Sequence, residues 1–320
     1  MSKWVASAPS NIALIKYMGK TDEQDNRPTN RSLSYTLNHL RTTVELTPSP
    51  NHEDEWQPLI EKDAAEMRLT ANGQQRFLKF FLFLKQHLGI SDYGFVVRSN
   101  NNFPSDCGLA SSASSFAALT MATYQAAKDL KGVDLNVADL SKLSRKGSGS
   151  SCRSFYSPWA IWQDEGAQTL DLPLNNLHHQ VVIVASERKA ISSSQAHKMV
   201  TNSLLFEGRV NRAETRLNHL INAFENNNWM TAYQLCWEEF WDMHALFETS
   251  RPHFGYMQMG TLAILNKVQQ FWQRHNDGPL VTMDAGANIH LLYRDDQVEM
   301  AKNLGSDMAP YRVVSSVDLY

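Results

Sequence analysis

Two stretches rich in glycine and hydroxyl side chains carry the first chemistry this sequence suggests. Asn101–Ser115 reads NNFPSDCGLASSASS and runs into the apolar FAALTMATYQAA. Gly108 would let the backbone approach a ligand closely. A helix starting just after it would expose unpaired N–H groups and the positive end of its dipole, which suits phosphate. Ser111, Ser112 and Ser114 add hydroxyl donors, and Ser111 or Ser112 an oxygen for Mg²⁺. No Gly-Lys pair follows, so this is not a Walker loop. The plainer alternative is a helix start packed closely on a sheet, with serine as N-cap. Arg145–Tyr156, RKGSGSSCRSFY, repeats the chemistry and adds Arg153. A guanidinium forks onto carboxylate or phosphate. With IKYMGK at Ile15–Lys20, these segments suit one site for a small polyanion better than unrelated loops.

Two more residues stand out. Asp284, in TMDAGAN, sits at an expected strand end before a glycine turn. A carboxylate there can accept or orient a hydroxyl proton. Taken locally, it reads more simply as a turn-forming aspartate bonded to its own backbone. Lys16 lies between Ile15 and Tyr17. A lysine in such a run ordinarily lays its stem along apolar surface at a strand edge.

Strands and helices alternate irregularly around these residues. Strands are expected in SAPSNIALIKY, SLSYTLNHLRTTVELTP, YGFVVRSNN, HHQVVIVAS, on both sides of the MDAGAN turn, and in YRVVSSVDLY. Helices are expected over 76–88, 114–130, NVADLSKLSRKG, much of 203–244, TLAILNKVQQFWQRH and MAKNLG. SPNHEDEWQPL reads as a polar loop or hairpin. The class is α+β or α/β in two layers, with a boundary expected near Glu187, giving units 1–186 and 187–320.

The 320 residues are 42% hydrophobic and 20% charged, an ordinary globular balance. A net charge of -3 gives no reason to expect nucleic acid or a membrane surface as partner. FLKFFLFLKQHLGI is the most apolar run, but lysines interrupt it, so a core helix is expected rather than a membrane span. The three cysteines are widely spaced and odd in number, which fits no disulfide framework and points to a reducing cytoplasm.

NIALIKYMGK, PTNRSLSYTL, NNFPSDCGLASSAS, RKGSGSSCRS, ISSSQ and MDAGAN follow one another in the order seen in diphosphomevalonate decarboxylases. The chain resembles that family, within the GHMP superfamily of galactokinase, homoserine kinase and mevalonate kinase, from about Ala8 to Asn288. The resemblance implies a two-domain α+β fold of GHMP-kinase type with the active site in the cleft between domains. It implies ATP-dependent, Mg²⁺-assisted decarboxylation of mevalonate 5-diphosphate to isopentenyl diphosphate, CO₂, ADP and phosphate. It also implies a homodimer.

The same resemblance reverses the reading of Asp284, which becomes the catalytic carboxylate that prepares the substrate's tertiary hydroxyl. Lys16 would lie beside it, and Arg153 would hold the substrate carboxylate. Tyr17, Met18, Gly19 and Lys20 match the family's substrate-binding strand and loop. Ser148, Gly149, Ser150, Ser151 and Cys152 match its glycine–serine loop beside the same substrate. Ser193 and Ser194 match positions near the diphosphate, and Arg76 stands where a diphosphate-binding arginine is expected. Asn102, Pro104, Ser105, Gly108, Leu109, Ala110, Ser111, Ser112 and Ser114 would cradle the ATP phosphates.

The chain departs from the family pattern in places. Met18 stands for the usual tryptophan, Ala287 for proline, and Ser194 for an arginine found in some relatives. Asp106 and Cys107 replace small residues, and Asp106 is expected to face outward or to help hold Mg²⁺. His244 either packs under the site or is a helix-end histidine bonded to backbone. A relative that acts on the monophosphate, or that phosphorylates the 3-hydroxyl without decarboxylating, is the alternative. A superfamily member that binds without turnover fits poorly with an intact catalytic set.

Overall fold

The computed structural model describes residues 2–22, 25–60, 69–103, 111–163, 166–186, 189–309 and 311–317. The chain begins with β1 (Trp4–Ile15), a short hairpin of β2 (Lys20–Asp22) and β3 (Arg27–Pro28), and the long β4 (Ser32–Pro48). Then come β5 (Glu55–Pro58), α1 (Ala71–His87), β6 (Phe95–Asn101), α2 (Ser111–Lys131), α3 (Val137–Gly147) and a 3₁₀ helix (Gly149–Phe155). A hairpin of β7 (Trp159–Gln163) and β8 (Gly166–Thr169) precedes β9 (Leu177–Ile183) and α4 (Ser193–Met199). The rest is α5 (Arg209–Glu225), α6 (Trp229–Glu248), α7 (Met259–His275), β10 (Leu280–Thr282), β11 (Ile289–Arg294), α8 (Val298–Asp307) and β12 (Arg312–Ser315).

β4 organises the first sheet. One edge pairs antiparallel with β1 along nearly its whole length. The other edge pairs with β7 through Ser32–Tyr35 and then with β6 through Thr42–Pro48. SLSYTLNHLRTTVELTP is therefore a single strand. Within SPNHEDEWQPL, expected to be a loop or hairpin, Glu55–Pro58 pairs parallel with β6. Trp56 anchors it there, donating from its indole to Ser99 Oγ at 2.8 Å. The β7–β8 hairpin has no counterpart in the sequence reading. Its WAIWQ run is too short to separate strand from buried helix by periodicity.

The second sheet has the order β10-β11-β9-β12, antiparallel throughout. β9 belongs here, so the chain passes from the first sheet to the second between Thr169 and Leu177. The boundary expected at Glu187 falls on a residue outside those described.

Two main cores follow from this layout. Trp4, Ala6 and Ala8 pack with α1, α2 and β6, where Ala117, Ala118, Ala122 and Ala126 let α2 lie close to the sheet. Past a register shift between Pro9 and Ser10, Ile12, Leu14 and Ile15 pack instead with α5, α6, α7 and the second sheet. β1 thus belongs to both halves, and its end points between them. The FLKFFLFLKQH run is α1, with Phe77, Phe80, Phe81 and Leu84 buried. Its Lys85 pairs with Asp54 at 2.7 Å. Among the described residues, no helix is long and apolar enough to cross a membrane.

Candidate active site

The end of β1 and the turn between β10 and β11 meet in a cleft of about 330 Å³. Two anchors bring them together. Thr282 Oγ1, fully buried, donates to the Ala13 carbonyl at 2.9 Å, which ties β10 to β1. Asn288 accepts from the Val184 and Ala185 amides at 2.8 and 3.0 Å and donates back to the Ala185 carbonyl. That fixes the far side of the turn. Within it the Gly286 amide donates to the Asp284 carbonyl at 2.7 Å.

Lys16 Nζ donates to Asp284 Oδ1 at 2.7 Å. The Lys16 side chain is buried, whereas that of Asp284 remains 30% exposed to the cleft. Burial lowers the Lys16 pKa, and the neighbouring Asp284 charge resists that shift. Burial pushes Asp284 upward, but Lys16, His290 and the lysine hydrogen bond outweigh it, and the carboxyl titrates below its usual range. The aspartate is therefore ionised at neutral pH. Behind it, His244 Nε2 lies 3.1 Å from the Asp284 carbonyl oxygen. A carbonyl only accepts, so Nε2 carries the proton. Burial holds His244 neutral, with a pKa lowered to about 4. It packs under the site and bonds backbone from near the C-terminal end of α6.

Arg153 is buried, held by Asn11 Oδ1 at 3.2 Å and Ser32 Oγ at 2.8 Å. Its guanidinium carbon stands 5.9 Å from the Tyr17 ring centroid and 5.7 Å from that of Trp162. Tyr17 stacks on His197 with centroids 4.6 Å apart. Burial raises the tyrosine to about 12 and lowers the histidine to about 3, so both are neutral. Lys20 donates to Asn26 Oδ1 at 2.6 Å, and Asn26 donates to the carbonyls of Arg145 and Lys146. Arg76 reaches the Gly147 carbonyl at 2.9 Å and lies over Phe116.

Of the residues singled out in the sequence, Lys16, Tyr17, Met18, Lys20, Arg76, Ser111, Ser112, Ser148, Gly149, Ser150, Arg153, Ser193, Ser194 and Asp284 line this one cleft. Others turn away from it. Ser114 is fully buried, bonded to Thr42 Oγ1 at 2.6 Å and to the Ser111 carbonyl. Ser151 is tied to Ser144 and to the Ser148 carbonyl, each at 2.6 Å. The Cys152 thiol donates to the Gly149 carbonyl, and burial pushes it up to about 12. Asn102 staples the backbone at His39 and Arg41. Gly19 serves through its backbone: its φ is +99°, and its amide donates to His197 Nδ1 at 3.1 Å. A Cβ there would meet Phe206 at 2.9 Å. Pro104, Ser105, Asp106, Cys107, Gly108, Leu109 and Ala110 lie outside the described residues.

The sequence reading missed Asn11, Asn26, Lys189 and His197, which also line the cleft. It missed a deeper group as well. Arg209, Arg212 and Arg216 of α5 face Glu239 and Asp242 of α6 in a mostly buried ion-pair network. The signal was present: three arginines and two acids at one-turn and two-turn spacing, each on one helix face.

Lys16, Lys20, Arg76, Arg153 and Lys189 surround Asp284, the only carboxylate lining the cleft among the described residues. Such a surface suits a ligand with several negative charges. No cluster of three or more His, Cys, Asp or Glu that could hold a metal ion occurs among the described residues. The hydroxyls of Ser111 and Ser112 fit a Mg²⁺ ion that keeps most of its oxygens from phosphate and water.

Comparison with known proteins gives one answer along the whole chain. Residues 8–171 match the diphosphomevalonate decarboxylase-like N-terminal domain, and residues 180–314 match the mevalonate 5-diphosphate decarboxylase C-terminal domain. The diphosphomevalonate decarboxylase of Debaryomyces hansenii is 30% identical over 94% of this chain and 81% of its own. The crystal structure of a mevalonate diphosphate decarboxylase from Legionella pneumophila superposes with a TM-score of 0.91 at 48% identity, covering 98% of this chain and all of that one. The complex of MDDEF with MVAPP, AMPPCP and magnesium superposes with a TM-score of 0.85 at 28% identity, over 98% of this chain and 95% of that one.

Proposed function

The chain belongs to the diphosphomevalonate decarboxylase family, and from that premise we propose how its cleft performs the reaction. The enzyme catalyses ATP-dependent decarboxylation of mevalonate 5-diphosphate, with Mg²⁺ as cofactor. The observation that carries the mechanism is the 2.7 Å Lys16–Asp284 pair, open to the cleft on the aspartate side.

Asp284 accepts the hydrogen bond of the substrate's 3-hydroxyl and orients its oxygen for in-line attack on the ATP γ-phosphate. The depressed aspartate pKa means the carboxylate positions the proton more than it stores it. The Lys16 charge steadies the negative charge that gathers on the attacking oxygen and the transferring phosphoryl group. Ser111 or Ser112 would hold Mg²⁺, which when bound would offset phosphate charge. Arg153, fixed by Asn11 and Ser32, grips the substrate carboxylate. Phosphate then leaves from C3, positive charge develops there, and loss of CO₂ supplies the electron pair of the new double bond. Lys20, Arg76 and Lys189, with the hydroxyls of Ser148, Ser150, Ser192, Ser193 and Ser194, receive the diphosphate. Because Ser194 brings no charge, those three cations do the work of the missing arginine.

The protein acts as a homodimer in the cytoplasm. The family resemblance supports the first, and the buried free thiols of Cys152 and Cys236 suit the second. Sedimentation of the purified chain at monomer mass would reject the dimer.

The test is incubation with ATP, Mg²⁺ and either mevalonate 5-diphosphate or the 5-monophosphate, with ADP and CO₂ both measured. Equal ADP and CO₂ from the diphosphate is the expected result. ADP without CO₂ would overturn the decarboxylase assignment.

A further inference from the structure

The strand ladder that carries β1 ends at Ile15, which pairs with Leu33. The next peptide groups, those of Lys16, enter the interior with no strand partner, and buried backbone groups must be satisfied. An ion pair meets them. The Lys16 amide donates to Glu239 Oε1 at 2.9 Å, and the Lys16 carbonyl accepts from Arg209 Nη2 at 3.1 Å beside a second donor, Asn30 Nδ2, at 3.0 Å. Arg209 and Glu239 are themselves joined by two hydrogen bonds, at 2.5 and 3.1 Å, and both are fully buried. One guanidinium–carboxylate unit therefore holds both polar groups of a single residue, the one whose ammonium touches Asp284.

Such an arrangement is a poor source of stability. Well-packed apolar residues commonly do as well as a buried ion pair, because both charges lose their water. What the pair adds is geometry and charge. The planar fork fixes where the Lys16 backbone sits, and so where its long side chain starts. The Glu239 charge also favours the protonated form of Lys16, against burial and against Arg153.

We infer that Glu239 and Arg209 are positioning residues for the reaction: the pair clamps the Lys16 backbone so that its ammonium stays aimed at Asp284. The inference rests on the role proposed for Lys16. Neither residue touches the cleft; both act through Lys16.

The test compares the parent with Glu239→Gln, and with Arg209→Leu/Glu239→Leu, in which apolar side chains replace both charges so that neither is left without the other. Thermal midpoints, kcat, the KM for mevalonate 5-diphosphate and the pH profile of kcat are measured. Both variants are expected to lose roughly 10- to 100-fold in kcat, with KM changed by no more than about twofold, as for a small misplacement of a reacting group. The alkaline limb of Glu239→Gln should move to lower pH, because the charge favouring protonated Lys16 is gone. In a Lys16→Ala background the Glu239→Gln change should cost less than about twofold, because its effect passes through the lost side chain. A folded variant with parental kcat overturns the inference, as does the same fractional loss with and without Lys16. A Lys16→Ala enzyme with parental kcat would instead overturn the role of Lys16.

Discussion

Lys16 and Asp284 lie 268 positions apart in the chain and 2.7 Å apart in the cleft. Each is delivered by a strand end, and the hydrogen bond from Thr282 to Ala13 joins the two strands just behind them. The pair is thus set by how the two sheets meet.

Asp284→Asn keeps the shape of the side chain and removes its charge. ADP and CO₂ formation should fall together by about 10²- to 10⁴-fold, the usual reach of a positioned acid or base. Binding of a non-hydrolysable ATP analogue should change by no more than a few-fold. Near-parental turnover would show that the catalytic carboxylate has been misassigned.

Gly149→Ala tests the crowding at the aromatic wall. An added Cβ would lie 2.5 Å from the Tyr17 hydroxyl and 3.1 Å from Trp162, so the tyrosine must move. Overpacking of this kind costs about 1–3 kcal/mol. The KM for the substrate should rise roughly 10-fold while the protein stays folded. An unchanged KM would place Tyr17 outside the substrate's reach.

Thr282→Val deletes a hydroxyl that ties β10 to β1, with little change in shape. The lost bond leaves the Ala13 carbonyl short of a partner, a cost of about 1–3 kcal/mol. Denaturant unfolding should show that loss, with kcat reduced as well. Full activity at reduced stability would mean that the two strands keep their register without this bond.

His197 gives a pH signature. The unfolded side chain titrates near 6.5, and burial lowers the folded value to about 3. Below pH 6.5 the unfolded chain gains a proton that the folded chain refuses. Stability therefore falls as pH drops from 6.5 toward 3. In His197→Asn, whose amide oxygen can replace Nδ1 as acceptor for Gly19, the dependence of unfolding free energy on pH between 6 and 4 should be shallower by about 1.4 kcal/mol per pH unit. An unaltered slope would mean that His197 titrates normally in the folded protein.

The cleft residues were legible in the sequence where chemistry and local backbone coincide. Asp284 sits at a strand end, Arg153 follows a glycine–serine turn, and Ser111 and Ser112 open a helix, so motif and geometry agree. They were misread where a hydroxyl looks the same whether it faces ligand or core. Ser112 and Ser114 differ only in helix face, and Ser114 spends its hydroxyl on Thr42. The supporting shell was illegible for another reason. Glu239 lies among tryptophans and phenylalanines on α6, and only the fold brings it to Arg209 and Lys16. The placement of β9 was hidden likewise, because a buried apolar strand does not announce which sheet it joins.

The path of β1 through both halves also bears on how the protein comes into being on the ribosome. By the time α7 has emerged, Lys16, Arg153 and the α5–α6 ion pairs are all present, but the aspartate is not. Until the β10–β11 hairpin follows, the chain lacks the carboxylate that meets the Lys16 ammonium in the finished fold. That hairpin therefore does two things at once: it pairs β11 with β9 and brings the carboxylate that meets Lys16. A chain that ends before Asp284 lacks the carboxylate proposed to orient the substrate hydroxyl.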